Sequence, residues 1–436
     1  MKIIKYPGPE ERTKSLARSA QKFKRTQAIV KPIIKKVKQK GDVALLKFAA
    51  EYDHAELKQL RVSQKEIEAA SAQIDESLKE AIRVAYHNIK KFHNAQHTDR
   101  LSIETTPGVK CERKSVPIQK VGLYVPGGTA PLFSSVLMLG VPAKLAGCEE
   151  IVICTPPNRK GEVHPAILYT AHLIGIDKIF KIGGAQAVAA MAYGTESVPQ
   201  VYKIFGPGNQ YVTVAKQLLT KKGVAIDMPA GPSEVAVYSD ASTPADFVAS
   251  DLLSQAEHGV DSQVIFVTTD QQYLREVDEA VNRQLDALPR KDIAEKALEN
   301  STAILVRNHE EAISLLNEYG AEHLIISTEN ARAAAEQILN AGSIFIGPFT
   351  PEAAGDYASG TNHTLPTNGY ARAYSGVSLD SFFKKITLQE ISAEGIQQLG
   401  PHVEVMAEAE ALRAHKNAVS LRLAYLEKTV ANSVNV

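Results

Sequence analysis

From about residue 11 to residue 96, apolar side chains recur at three- and four-residue spacing among Lys and Arg, which predicts helices with a solvated basic face. Ser63-Gln-Lys-Glu66 has the form of a capping box, in which the Ser hydroxyl and the Glu carboxylate each take a free backbone N–H. A helix carrying Ile67 to Phe92 should open there. Beyond residue 120 the pattern changes to short β-rich runs separated by small-residue helices. Strands are predicted at 121–125, 151–154, 179–182, 201–205 and 234–238, then at 263–268, 303–306, 323–327 and 343–347. This alternation is the rhythm of helix-covered parallel sheets, and it predicts two α/β units. Residues 349–370 carry Pro, Gly, Thr, Asn and Asp with neither period, which predicts a functional loop after a strand end, where α/β sites sit. Residues 401–427 are again helical in pattern, and no repeat of fixed period is visible.

A chain of 436 residues exceeds what one core organises, so two or three domains are expected. Its 49 basic residues match 49 acidic ones, which leaves no bulk field to attract nucleic acid or an anionic membrane. Neither is expected as a partner. Cys111, Cys148 and Cys154 are an odd, sparse set that builds no disulfide framework and suits a reducing, cytoplasmic compartment. Cys154 ends the apolar run Ile151-Val-Ile-Cys154, where a buried small hydrophobe is a better reading than a nucleophile. No signal-like apolar segment opens the chain and no run reaches the length of a membrane span, so no anchor is expected.

The candidate chemistry lies on scattered segments. Thr243-Pro-Ala-Asp246 reads as an N-cap followed by Pro at the first helical position, with Gly259 closing the helix. Gln255 and His258 then fall three apart on the last turn and can offer an oxygen and a nitrogen to a metal. A His placed there merely for the helix dipole is favoured by about three to one. Glu322 and His323, adjacent before a strand, are two groups able to take protons. Asp356 and His363 lie in the long loop, where an Asp caps turns about 4 times as often as it binds metal. Glu410 and His415 are five apart, about 140° of rotation on an unbroken helix, so they share a site only where the helix breaks. Gln255, His258, Asp356 and His415 together would make a mixed N/O set that suits zinc and leaves room for a substrate. Ile182-Gly-Gly-Ala-Gln186 and Phe205-Gly-Pro-Gly-Asn209 follow strands and permit a nucleotide phosphate, although neither is Gly-x-Gly-x-x-Gly and tight turns explain the glycines equally well.

Five longer stretches add to this. Val121-Gly-Leu-Tyr-Val-Pro-Gly-Gly128, Gly206-Pro-Gly-Asn-Gln-Tyr-Val212, Met228-Pro-Ala-Gly-Pro-Ser-Glu234, Asp251-Leu-Leu-Ser-Gln-Ala-Glu-His-Gly259 and Ala321-Glu-His-Leu324 resemble the motifs of the histidinol dehydrogenase family, in order and over almost the whole chain. The resemblance implies a cytoplasmic homodimer that oxidises L-histidinol through histidinaldehyde to L-histidine with two NAD, ending histidine biosynthesis. It also implies one zinc per subunit on Gln255, His258, Asp356 and His415, with His415 and Glu410 donated by the partner subunit. Substrate would also meet Ser233, Glu322, His323 and His363, and NAD would lie against Tyr124, Gln186 and Asn209. Glu322 and His323 would be the catalytic pair.

The expected fold class is therefore α/β: two Rossmann-like parallel-sheet domains without the standard glycine fingerprint, N-terminal helices and a small helical C-terminal extension. The expected division is an extension at 1–25, a domain of 26–120 with 235–375 carrying metal and catalytic residues, an inserted nucleotide domain at 121–234, and a helical tail at 376–436 reaching the partner. Two other functions compete. A zinc hydrolase would use a metal with an open position beside a Glu, and a relative acting on another small alcohol would lack the groups that hold the imidazole end, which Glu410 and His363 supply here.

Overall fold

The computed structural model describes residues 1–18, 23–127 and 131–434, so Gly128 of the first motif lies outside the described residues. The chain divides into two compact units, Met1–Gln96 with Ile118–Phe382 and His97–Pro117 with Phe383–Val436. In chain order the strands are β1 (Lys2–Lys5), β2 (Leu101–Thr106), β3 (Val109–Pro117), β4 (Lys120–Tyr124), β5 (Glu150–Thr155), β6 (Ile179–Lys181), β7 (Lys203–Phe205), β8 (Ala225–Ile226), β9 (Glu234–Ser239), β10 (Gln263–Thr268), β11 (Thr302–Leu305), β12 (His323–Ser327), β13 (Ser343–Ile346) and β14 (Phe383–Ile391).

The first unit holds two parallel sheets, ordered β6-β5-β4-β7-β8 and β1-β11-β10-β9-β12-β13. With β1 set aside as an added edge, both wind alike: the first strand is central, the next two extend one way and the last two the other, as in a Rossmann half. Helices cover both faces of the six-stranded sheet, so its strands are apolar without a polar side and alternate residues feed different cores. Val235 and Val237 of β9 pack with Val264, Phe266, Val248 and Leu252 on one face. Ala236 and Tyr238 pack with Ile265, Val267 and Leu316 on the other. On the five-stranded sheet, the helix Phe23–Phe48 lays Val30, Val37 and Leu45 into a core with Val152 and Ile204.

Every one of the nine predicted strands forms, with ends shifted by at most two residues, and the capping box at Ser63 closes as read, but its helix ends at Ala70 and a second helix, Glu76–Asn94, carries the residues up to Phe92. Other expectations fail for identifiable reasons. Thr243 is no N-cap: its hydroxyl donates to the Ser327 carbonyl at 2.8 Å, and the helix Ala245–Ala256 starts after Pro244 without a side-chain cap. That helix ends before Gly259, with Glu257 as its C-cap, so His258 lies beyond it and not on its last turn. Residues 349–370 are not wholly loop, because Pro351 precedes a short helix, Glu352–Tyr357, which carries Asp356.

The second unit contains an antiparallel sheet, β14-β3-β2, followed by the helices Ala393–Ala409 and Arg413–Val434. The segment from 376 onward was expected to be helical throughout, yet it includes the nine-residue β14. Lys384, Lys385 and Glu390 interrupt its apolar positions, and the strand is largely exposed, so it lacks the apolar run that marked the buried strands. Among the described residues no helix is long and apolar enough to cross a membrane.

Candidate active site

His323 opens β12 and Glu234 opens the neighbouring β9, so both, with Glu322 one residue earlier, gather at the amino-terminal edge of the six-stranded sheet. Covering helices run back against the strands, and their C-terminal ends therefore arrive at this same edge. In this way the helix Ala245–Ala256 delivers Gln255, and the turn after it delivers His258. The helix Glu352–Tyr357 packs against it and brings Glu352 and Asp356 to His323. Among the described residues, the strand carboxyl ends that face this cleft, the placement expected of an α/β site, belong to the other sheet. There Gly206 and Asn209, following β7, face the same cleft of ≈ 500 Å³ as Ser233, His258, Glu322 and His363.

One imidazole stands amid three carboxylates. Nδ1 of His323 is 3.3 Å from the Glu234 carbonyl, 3.6 Å from Glu352 Oε1 and 3.8 Å from Glu322 Oε2. Its Nε2 lies 3.5 Å from Asp356 Oδ1 without an aligned hydrogen bond. Burial opposes a charge on His323, but Glu352, Glu322 and Asp356 outweigh it and lift the imidazole to about 10. Burial also pushes Glu322 up to about 8, although its Oε2 accepts the Glu234 N–H at 2.9 Å. Glu352, 1% exposed, rises by burial to about 8 as well. Desolvation would raise Asp356, yet His323, His363 and His258 hold it below the usual carboxylate range. His363, whose Nδ1 lies 3.0 Å from the Asp356 carbonyl, has its proton affinity lowered by burial. His258 is lowered by the same cause: its side chain is open to the cleft, but protein encloses the cleft around it.

The strongest sign of a binding site is Gln255. Its carboxamide is wholly buried, and neither the oxygen nor the nitrogen has a hydrogen-bond partner. Each such orphan costs roughly 1–3 kcal/mol, a cost that a bound ion or polar substrate group would offset. His323, Glu352 and Asp356 add ligand atoms all within 4.8 Å of one another, which suits a cation among carboxylates. The frame around them is stiff. Arg18 grips the buried Glu234 with two bonds of 2.6 and 2.8 Å and lies 4.0 Å over the Tyr319 ring, fixing the backbone carbonyl that faces His323.

At the carboxyl edge of the five-stranded sheet, Gly206 has φ +124°, and a Cβ there would sit 2.1 Å from the Tyr124 carbonyl oxygen, so only glycine fits. The buried Lys216–Asp227 pair clamps this turn: Lys216 Nζ donates to the Gly206 carbonyl at 2.9 Å and Asp227 accepts the Gly206 N–H at 2.7 Å. Asn209 caps the following helix, Gln210–Thr220, through the N–H groups of Tyr211 and Val212. The Tyr124 hydroxyl accepts the Gly184 N–H at 3.1 Å, and the Gln186 carboxamide folds back beside Gly184. Both turns are backbone-rich, and the one after β7 lies at the strand-order reversal beside β4, a place suited to a phosphate-bearing ligand.

Of the residues singled out from sequence, His258, Asp356, His363, Glu322 and His323 sit together in one cluster, Gln255 enters from the packed helix beside it, and Ser233 lines the cleft. Tyr124 and Gln186 lie at the turn around Gly184, and Asn209 on the cleft wall. Glu410 and His415 belong to the second unit, where both are exposed, Glu410 as the C-cap of Ala393–Ala409 and His415 in the first turn of Arg413–Val434. Sequence reasoning missed Glu352, whose signal was available: Glu352 and Asp356 are four apart, one helical face, once the segment after Pro351 is allowed to be helix.

Comparison with known proteins agrees across the chain. A family model described as histidinol dehydrogenase matches residues 16–423. A histidinol dehydrogenase of Bacteroides thetaiotaomicron is 59% identical over 423 residues, 97% of this chain and 99% of the relative. One from Vibrio parahaemolyticus is 55% identical over 398 residues, 91% of each chain. The crystal structure of histidinol dehydrogenase from Elizabethkingia anophelis superposes with a TM-score of 0.96 at 53% identity, covering 98% of this chain and 99% of that one.

Proposed function

The chain belongs to the histidinol dehydrogenase family, oxidoreductases of the last step of histidine biosynthesis, and from that premise we propose how its residues carry L-histidinol through histidinaldehyde to L-histidine. The observation that carries this reading is the pair Glu322 and His323, buried side by side, with Glu322 on the cleft wall and Gln255, His258 and Asp356 around them. The cell compartment is the cytoplasm, and the working form is a homodimer in which His415 and Glu410 complete the site from the partner subunit.

Gln255, His258 and Asp356 would hold zinc, a donor set of two oxygens and one nitrogen that leaves positions for substrate. When bound, the ion supplies an anchor for the imidazole and amino nitrogens of histidinol and a positive charge beside the carboxylates. His323 would act in its neutral form, with the lone pair of Nε2 able to accept a proton. NAD, against Tyr124, Gln186 and Asn209, supplies the hydride acceptor. Ser233 and His363 line the cleft and orient the substrate. His323 takes the hydroxyl proton as the carbinol carbon gives up hydride, leaving the aldehyde. Glu322 removes a proton from the water that adds to the aldehyde carbon while His323 returns its proton to the former carbonyl oxygen, which gives the gem-diol and leaves the imidazole free again. His323 takes a second hydroxyl proton as the gem-diol is oxidised to the carboxylic acid. The burial that lifts Glu322 makes its carboxylate a stronger base than an exposed one.

Mixing the zinc-loaded protein with L-histidinol and excess NAD should yield two NADH for each histidinol consumed, and a chelator should abolish the yield until zinc is restored. Hydrolysis of esters or amides without NADH formation would favour the zinc hydrolase instead.

A further inference from the structure

The proton taken up by His323 creates an imidazolium in a site almost closed to water, and such a charge needs a partner that is already in place. Glu322 is occupied with water in the scheme above and Asp356 with the ion. Glu352 is assigned to neither. Its carboxylate is 1% exposed, its Oε2 has no hydrogen-bond partner, and its Oε1 stands 3.6 Å from His323 Nδ1. A carboxylate is rarely buried so deeply unless a positive group faces it. On the same side of the ring the Glu234 carbonyl, 3.3 Å from Nδ1, can accept the Nδ1–H, which leaves the Nε2 lone pair as the proton-accepting site. Nε2 itself has no aligned partner.

We propose that Glu352 is the positioning residue of the proton-transfer step: its buried carboxylate, set against Nδ1, steadies the His323 imidazolium formed when Nε2 takes the substrate's hydroxyl proton. The arrangement follows the logic of a base oriented by a third, acidic group. The backbone carbonyl of Glu234 supplies the tautomer, and Glu352 supplies the charge. Glu352 acts through His323 and does not touch the reacting atoms. The proposal rests on His323 being the proton acceptor.

The test compares Glu352→Gln, Glu352→Asp and His323→Asn in the assembled, zinc-loaded enzyme by kcat, KM for histidinol, bound zinc per chain and thermal midpoint. Glu352→Gln keeps the volume and removes the charge. It should retain zinc, thermal midpoint and KM while kcat falls by about 10- to 100-fold, and Glu352→Asp should recover much of the loss. Glu352→Met, which fills similar space without charge, replaces the Gln variant should that unfold. Loss of zinc would make Glu352 a metal ligand, and a raised KM with unchanged kcat would make it a substrate contact. Unchanged kcat, or an Asp variant no better than Gln, would exclude a role for its charge. Any of these overturns the proposal. If His323→Asn keeps its rate, the underlying reading of His323 falls; if it loses its rate while Glu352→Gln does not, only the role of Glu352 falls.

Discussion

Replacing His323 with Asn is expected to slow both oxidations by about 10²- to 10⁴-fold, the range for losing a positioned general base, with zinc and overall stability retained. The size follows from the site's closure. His323 is 3% exposed, and its Nε2 has no other aligned donor or acceptor, so water cannot readily stand in for it. Both steps should suffer alike, because the same nitrogen takes a proton from the alcohol and later from the gem-diol. Asn preserves a polar group near the Glu234 carbonyl and is small enough to leave β12 intact. Steady-state rates measured separately with histidinol and with histidinaldehyde check this. Loss of one oxidation alone would mean that the second proton goes elsewhere.

Glu322→Gln should divide the two steps. The carboxamide oxygen can still accept the Glu234 N–H that Glu322 accepts now, so the strand start keeps its bond. What disappears is a base able to take a proton from water. Oxidation of histidinol to the aldehyde is expected to continue at nearly its normal rate, while aldehyde to acid slows by about 10²-fold or more. In a single turnover the variant should release one NADH quickly and the second slowly. A variant that oxidises histidinaldehyde at the wild-type rate would remove Glu322 from water activation.

The parts of this fold legible in sequence are those where burial leaves no choice. Strands such as Gln263–Thr268 and His323–Ser327 are covered on both faces, so every interior position is apolar and polar residues mark the ends. The exposed β14 carries Lys384, Lys385 and Glu390 and gives no such run. Thr243 shows a different limit: a cap residue in the right place was drawn to the Ser327 carbonyl, a partner 84 residues away that local reading cannot see. The site divides in the same way. Gln255 and His258 were permitted by spacing, but their convergence with Asp356 and His323 depends on a helix end, a turn and a six-residue helix meeting at one sheet edge. Family resemblance named the ligands that pattern alone left open. Neither route pointed to Glu352, whose helix was concealed among Pro, Gly and Thr.

Two sets of groups in the cluster can hold an ion: Gln255, His258 and Asp356, or His323, Glu352 and Asp356. They make opposite statements about the chemistry, because an ion on His323 would occupy the nitrogen that must take the proton. Anomalous diffraction at the zinc edge from crystals of the histidinol-bound dimer decides between them. The ion should lie about 2.0–2.2 Å from Gln255, His258, Asp356 and the partner's His415, with His323 Nε2 free and facing the substrate hydroxyl. An ion bonded to His323 and Glu352 would contradict both the proton-transfer scheme and the role assigned to Glu352.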